Sequence, residues 1–158
     1  MEAVRFSTRE LARSRQLEAW RDWYTGSFEV APLGAPDRGF AGESAVWKLD
    51  GMAIVSVSAP PLRAMRTKSL IRRDPTDHWV ITIGKRAATG LISESDQTLV
   101  PAGVPFVLSL GDFFANQRGL DDRIQLNISR DRFAAIASAL DAARGRPVST
   151  ALGGMLST

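Results

Sequence analysis

The chain has 158 residues, of which 44% are apolar and 23% charged; this suits one globular domain with a real core and excludes a mostly disordered chain. It has no cysteine and a single histidine, His78, which excludes disulfides, thiolate metal sites, a cysteine nucleophile and every site that needs two imidazoles. The net charge is +3 and the isoelectric point about 9.9, yet only three of the 20 basic residues are lysine and the two halves are similarly balanced, so no basic tail or half marks a nucleic-acid surface.

Ser7 followed by Glu10 fits a capping box, with Phe6 and Leu11 at the staple positions. Leu17, Trp20 and Tyr24 then form one helical stripe, and Gly26 is a natural stop, which predicts a helix over 7–25 with a kink or break near Leu11. The stripe is expected to pack on a sheet. Residues 31–43 hold two prolines and three glycines and read as loop.

From residue 44 to 129 the pattern is that of strands. Ala45–Leu49 and Met52–Ser58 flank Asp50-Gly51, a strong type I′ hairpin signal, in a register that pairs Trp47 with Ile54 and Leu49 with Met52. Residues 62–72 read as a further strand pair or a bent strand. In His78–Lys85, Trp79, Ile81 and Ile83 alternate with His78, Val80 and Thr82. Residues 88–93 and 97–100 form a second hairpin about Ser93–Asp96. Pro101-Ala102-Gly103 is a turn, and strands follow over 106–110, 112–117 and 122–128. About eight short strands without intervening helices predict a mainly β fold, an antiparallel sandwich or barrel.

Ser129 is placed to cap a last helix over 130–144, with Phe133, Ile136, Ala137 and Leu140 as its apolar stripe and Gly145 and Pro147 as its stop. Residues 146–158 restart an apolar pattern and read as a linker or the beginning of a truncated second helix. No apolar run approaches the ~20 residues of a membrane span, and no signal-peptide core is present, so a cytoplasmic protein is expected, without membrane contact.

The segments FSTREL…RQLEAWRDWY, RTKSLIRRDPTDHWVITI and LVPAGVPFVLSLGD before IQLNISRDRF resemble the N-terminal regulatory domain of AraC-type transcriptional regulators, over residues 4–145. The resemblance implies a cupin-like antiparallel β-barrel of jelly-roll type over 44–129, a C-terminal dimerisation helix, and a regulatory domain over 1–145. It implies a homodimer, an unknown small-molecule effector, no enzymatic role and no cofactor. DNA would be reached only through a C-terminal helix-turn-helix region that residues 130–158 do not contain. Two departures stand out. Pro101-Ala102-Gly103-Val104 replaces the usual Pro-Gly-Asp, and Gly111–Gln117 lacks the proline often found there.

Three residues are candidates for the effector pocket: Trp47 and Trp79, which can stack and offer an N–H, and Arg66, one of five cations in the acid-free stretch 63–73. Arg63 and Arg66 differ by three, so on a regular strand only one of them points inward. That stretch also reads as a solvated edge. Phe133, Ile136 and Leu140 are the candidates for dimerisation, each worth about 1.5–3 kcal/mol if fully buried. The stripe can equally be spent on the domain's own sheet. As a catalytic base, His78 would need a carboxylate and a pocket beside it, which is the requirement of a rival reading as a metal-free cupin-fold isomerase. A bare protein-interaction domain is the other rival. A metal at a lone imidazole needs carboxylate co-ligands that no spacing suggests.

Overall fold

The computed structural model describes residues 1–148. In chain order the elements are β1 (Val4–Ser7), α1 (Arg13–Trp23), β2 (Glu29–Pro32), β3 (Glu43–Leu49), β4 (Met52–Ala59), β5 (Leu62–Arg66), α2 (Lys68–Arg73), β6 (Trp79–Gly84), β7 (Thr89–Ile92), β8 (Gln97–Val100), β9 (Phe106–Ser109), β10 (Phe114–Arg118), β11 (Asp121–Ile128), α3 (Ala137–Ala143) and β12 (Arg146–Pro147). Two antiparallel sheets result. One runs β1-β3-β4-β11-β6-β9-β12, the other β2-β5-β10-β7-β8. Among the described residues each sheet ends in strands paired on one side only, so the expected closed barrel is corrected to a pair of open sheets.

The sheets share a core in two parts. Val55 and Val57 of the large sheet meet Val30, Leu62 and Ala64 of the small one, with Trp20 of α1 and Phe40 closing that end. Val80, Phe106 and Leu108 meet Leu91, Val100 and Phe114 at the other end. A third cluster lies on the outer face of the large sheet. There Trp79, Ile81, Val107 and Ile128 are covered by Phe133, Ala137, Leu140 and Ala143 of the C-terminal segment. This explains why Trp79, Val80, Ile81 and Thr82 are all buried in succession: β6 has protein on both sides.

The N-terminus departs from expectation. Val4–Ser7 is a strand, paired with Val46–Glu43 of β3, and the helix begins only at Arg13. Ser7 Oγ accepts from the Arg9 amide in a local turn, and the helix start has no side-chain cap. Ladder bonds to an otherwise free edge of β3 outweigh the capping signal. The stripe itself is as expected: Trp20 is buried, with Leu17 and Tyr24 packed beside it. A buried polar clasp orders the end of the Pro/Gly-rich loop. Thr8 Oγ1 donates to Phe40 O at 2.5 Å and accepts from the Gly42 amide at 2.9 Å. Gln16 accepts from the Phe40 amide at 2.8 Å and donates to Thr8 O at 3.1 Å. Gly42 has no alternative, because a Cβ there would lie 2.6 Å from the Trp20 ring.

The β3–β4 hairpin has the expected register, Trp47 opposite Ile54 and Leu49 opposite Met52. Its turn is not type I′, since Gly51 takes φ +74° while no non-glycine residue among the described residues has positive φ. Residues 62–72 are a strand followed by a short helix, with Thr67 Oγ1 accepting from the Leu70 amide as its cap. The hairpin about Ser93–Asp96 is present. The last helix is shorter than the expected 130–144. A 3-10 turn over Ala134–Ile136 leads into α3, and Ser129 makes no cap. Its amide donates instead to Gly51 O, and the following residues are tied to loops by Arg130 with Asp77 and Arg132 with Asp50. Gly145, φ +75°, turns the chain into the two-residue strand β12 against β9. The linker or second helix expected over 146–158 opens on β12 instead, and residues 149–158 of it lie outside the described residues.

Candidate functional site

The space between the sheets is nearly filled; the gap among Trp20, Phe28, Leu62 and Arg123 amounts to about 10 Å³, the size of one water. An open cleft of about 670 Å³ lies instead at one end of the fold, within the range of small-molecule sites. Its walls are α2, the β7–β8 turn, the β9–β10 turn and the chain just after α3. Ile71, Phe113 and the buried Leu108 and Phe114 supply apolar surface, and Lys68, Arg72, Arg144 and Arg146 supply four cations.

Two of these cations are spent within the protein. Lys68 pairs with Glu94 at 2.5 Å, and Arg144 lies 3.4 Å from Asp112 and 3.8 Å from Asp141. Arg72 and Arg146 are exposed and have no ion-pair partner among the described residues. The third acid of the cleft, Asp96, is occupied in its own turn, accepting from the Gln97 amide at 2.8 Å.

The cleft is wired to α3. Asp141 accepts from Trp79 Nε1 at 2.9 Å and takes both oxygens to Arg130 Nη1, at 2.9 and 3.1 Å. Arg130 lies 4.4 Å over the Trp79 ring and donates to Asp77 O and to Ser109 Oγ. Ser109, Asp112 and Arg144 all line the cleft. The Trp79 hydrogen bond holds the Asp141 carboxyl below the ordinary aspartate range, against the opposing effect of burial, which ranks next, and with further help from Arg130 and then Arg144. A folded-state value below the unfolded one gives stability that is present above the unfolded value, about 3.9, and lost as pH falls through the folded value. Acid titration followed by the near-ultraviolet tryptophan signal should therefore show α3 loosening on the acid side. Asp141→Asn should flatten that limb, and an unchanged limb would remove Asp141 from the account.

None of the three pocket candidates lines the cleft. Trp47 sits half-buried on the outer face of the large sheet opposite Ile54. Trp79 is wholly buried under α3. Arg66 is 0% exposed, and its guanidinium donates to five backbone carbonyls: Leu110 (2.8 Å), Gly26 (2.9 Å), Ser27 (3.1 Å), Asp74 (2.6 Å) and Thr76 (3.4 Å). Asp74 adds an ion pair at 3.7 Å, which counters the lowering of the Arg66 pKa by burial. The period-2 argument on Arg63 and Arg66 picks out a real inward arginine, but its donors are already taken.

Phe133 and Leu140 pack on the protein's own sheet, while Ile136 is 43% exposed. His78 is half-buried at the entrance to β6, its carbonyl accepting from the Leu110 amide. Among the described residues no group of three or more His, Asp or Glu side chains is placed to hold a metal, and no helix is long and apolar enough to cross a membrane. The sequence reading also missed a polar layer between the sheets. In β11, Arg123, Gln125 and Asn127 share a face with the inward Val57, Val55 and Ala53, and Asn116 and Arg118 of β10 are buried too. Arg118 donates to Asn116 Oδ1 at 2.7 Å and Gln125 to Asn127 Oδ1 at 2.9 Å.

No protein-family model matches the sequence, and no curated protein does. Among solved structures, the AraC-like transcriptional activator CuxR is similar over 98% of this chain, with a TM-score of 0.86 and 25% identity. The chain covers 58% of that activator. The fold is thus one shared with an AraC-like transcription regulator.

Proposed function

We propose that the chain is the regulatory domain of an AraC-type transcription regulator. It senses a small effector in the cytoplasm, forms a homodimer, and acts on DNA through a helix-turn-helix region outside the described residues. On this reading the two sheets are a cupin-like jelly roll with open edges, and the domain works by binding rather than by chemistry. The observation that carries it is the agreement in fold with the activator over nearly the whole chain. The end cleft, rather than the filled interior, is the place for an effector. An effector acts only through unequal affinity for two arrangements of the domain, and α3, tied to the cleft wall, is the element that can have two. Phe133 and Leu140 seat α3 on its sheet, and the outward Ile136 is left to meet a second subunit.

The test is to fuse residues 1–158 ahead of a paired helix-turn-helix region that binds its operator well only as a dimer. Operator affinity should rise at least tenfold, and Ile136→Arg should abolish the gain and give a monomer in sedimentation. No gain with the unaltered chain would overturn the proposal.

A further inference from the structure

We propose that the end cleft binds a small organic anion, a carboxylate or phosphate carried on an apolar body, and that Arg144 transmits its arrival to α3. This rests on the regulatory reading above and names the ligand chemistry of that site. The observation behind it is an imbalance. Each acid of the cleft is already engaged: Glu94 by Lys68, Asp96 by its own turn, Asp112 by Arg144. Arg72 and Arg146 are engaged by no acid among the described residues, although both line the same cavity. A guanidinium presents a planar fork of donors that fits carboxylate and phosphate oxygens alike. Ile71 and Phe113, half-buried beside these cations, offer the apolar part of the ligand a surface to cover.

Arg144 gives the site its output. It stands between Asp112 in the cleft and Asp141 on α3. A ligand anion that draws Arg144 toward Arg72 and Arg146 takes it away from Asp141. Asp141 is then left with Trp79 and Arg130, and Arg130 in turn reaches back to Ser109 on the cleft wall. Anion binding and the seating of α3 therefore compete for one cation.

Isothermal titration with inorganic phosphate, citrate and phenyl phosphate, with glucose as the neutral control, tests the site. At least one anion should bind saturably and glucose should not. Citrate against inorganic phosphate separates carboxylate from phosphate chemistry, and phenyl phosphate binding tighter than inorganic phosphate would support the apolar wall. The double variant Arg72→Ala/Arg146→Ala, both exposed positions, should fold normally and bind the preferred anion at least tenfold more weakly. No saturable binding by any anion, or equal binding by the double variant, overturns the site. Amide exchange of residues 137–143 should quicken severalfold when the cleft is saturated; unchanged exchange with binding intact overturns the transmission. The fusion test above needs no ligand, so its success alongside failure here would leave the regulatory domain standing and this site rejected.

Discussion

Arg66→Met should destabilise the domain by about 4 kcal/mol or more in equilibrium unfolding, a large share of the 5–15 kcal/mol a domain of this kind has. Methionine matches the apolar stem of arginine out to Nε, so packing around the stem is kept and the loss falls on the guanidinium, its hydrogen bonds and the buried space it fills. What remains unpartnered is a set of carbonyls from three separate turns: Gly26 and Ser27 after α1, Leu110 after β9, and Asp74 and Thr76 before β6. Each buried acceptor left without a donor costs about 1–3 kcal/mol, and water can reach only the less buried of them. Replacing a buried ion pair by apolar residues is often harmless when both partners go, but backbone carbonyls cannot be replaced. Arg66→Lys separates charge from geometry. It keeps the cation beside Asp74 and loses the five-donor fork, so it should recover no more than about half of the loss. A methionine variant within about 1 kcal/mol of the parent would show that the fork is not what joins these turns.

Much of the β-fold is legible in the sequence. The register of β3 and β4 follows from two residues at their turn and the alternation on either side. The β7–β8 hairpin follows from a polar cluster between two apolar runs. What is not legible is whatever a distant strand decides. Val4–Ser7 carries capping and staple residues in the right places, yet it pairs with β3 because that edge is free, and no local pattern reveals a free edge. The helix after Ser129 is likewise shortened by ion pairs from Arg130 and Arg132 to loops more than 50 residues away in sequence.

The candidate site was harder to see for a related reason. Its cations come from α2 and from the chain around β12, and its acids from two turns, so only the folded chain places them together. One signal was available and went unused. In β11, Ile124, Leu126 and Ile128 lie opposite Ile83, Ile81 and Trp79, and of these Leu126, Ile128, Ile81 and Trp79 lie under the C-terminal segment; the polar alternates therefore point between the sheets. An apolar stripe in register with the outer face of a neighbouring strand says that a helix covers that face, and that the interior layer must be read from the polar residues instead.

Trp79→Ala should cost about 4 kcal/mol, second only to the Arg66 variant. The indole is 0% exposed, fills the space between the large sheet and α3, and lies beneath the Arg130 guanidinium. Its removal leaves a cavity that α3 cannot close, because Arg130 and Asp141 still hold the helix at its present height. Trp79→Phe distinguishes packing from the hydrogen bond. Phenylalanine keeps a ring beneath Arg130 and loses only the N–H to Asp141, which is part-exposed and can turn to water, so about 1–1.5 kcal/mol is expected. Chemical unfolding gives both numbers. Trypsin cleavage after Arg144 reports where the loss is felt, since that bond should open sooner in Trp79→Ala than in the parent while cleavage at Arg13 and Arg15 is unchanged. If phenylalanine costs as much as alanine, the bond to Asp141, rather than the volume of the indole, holds α3 to the sheet, and displacing Arg144 from Asp141 would then be a weak lever on the helix.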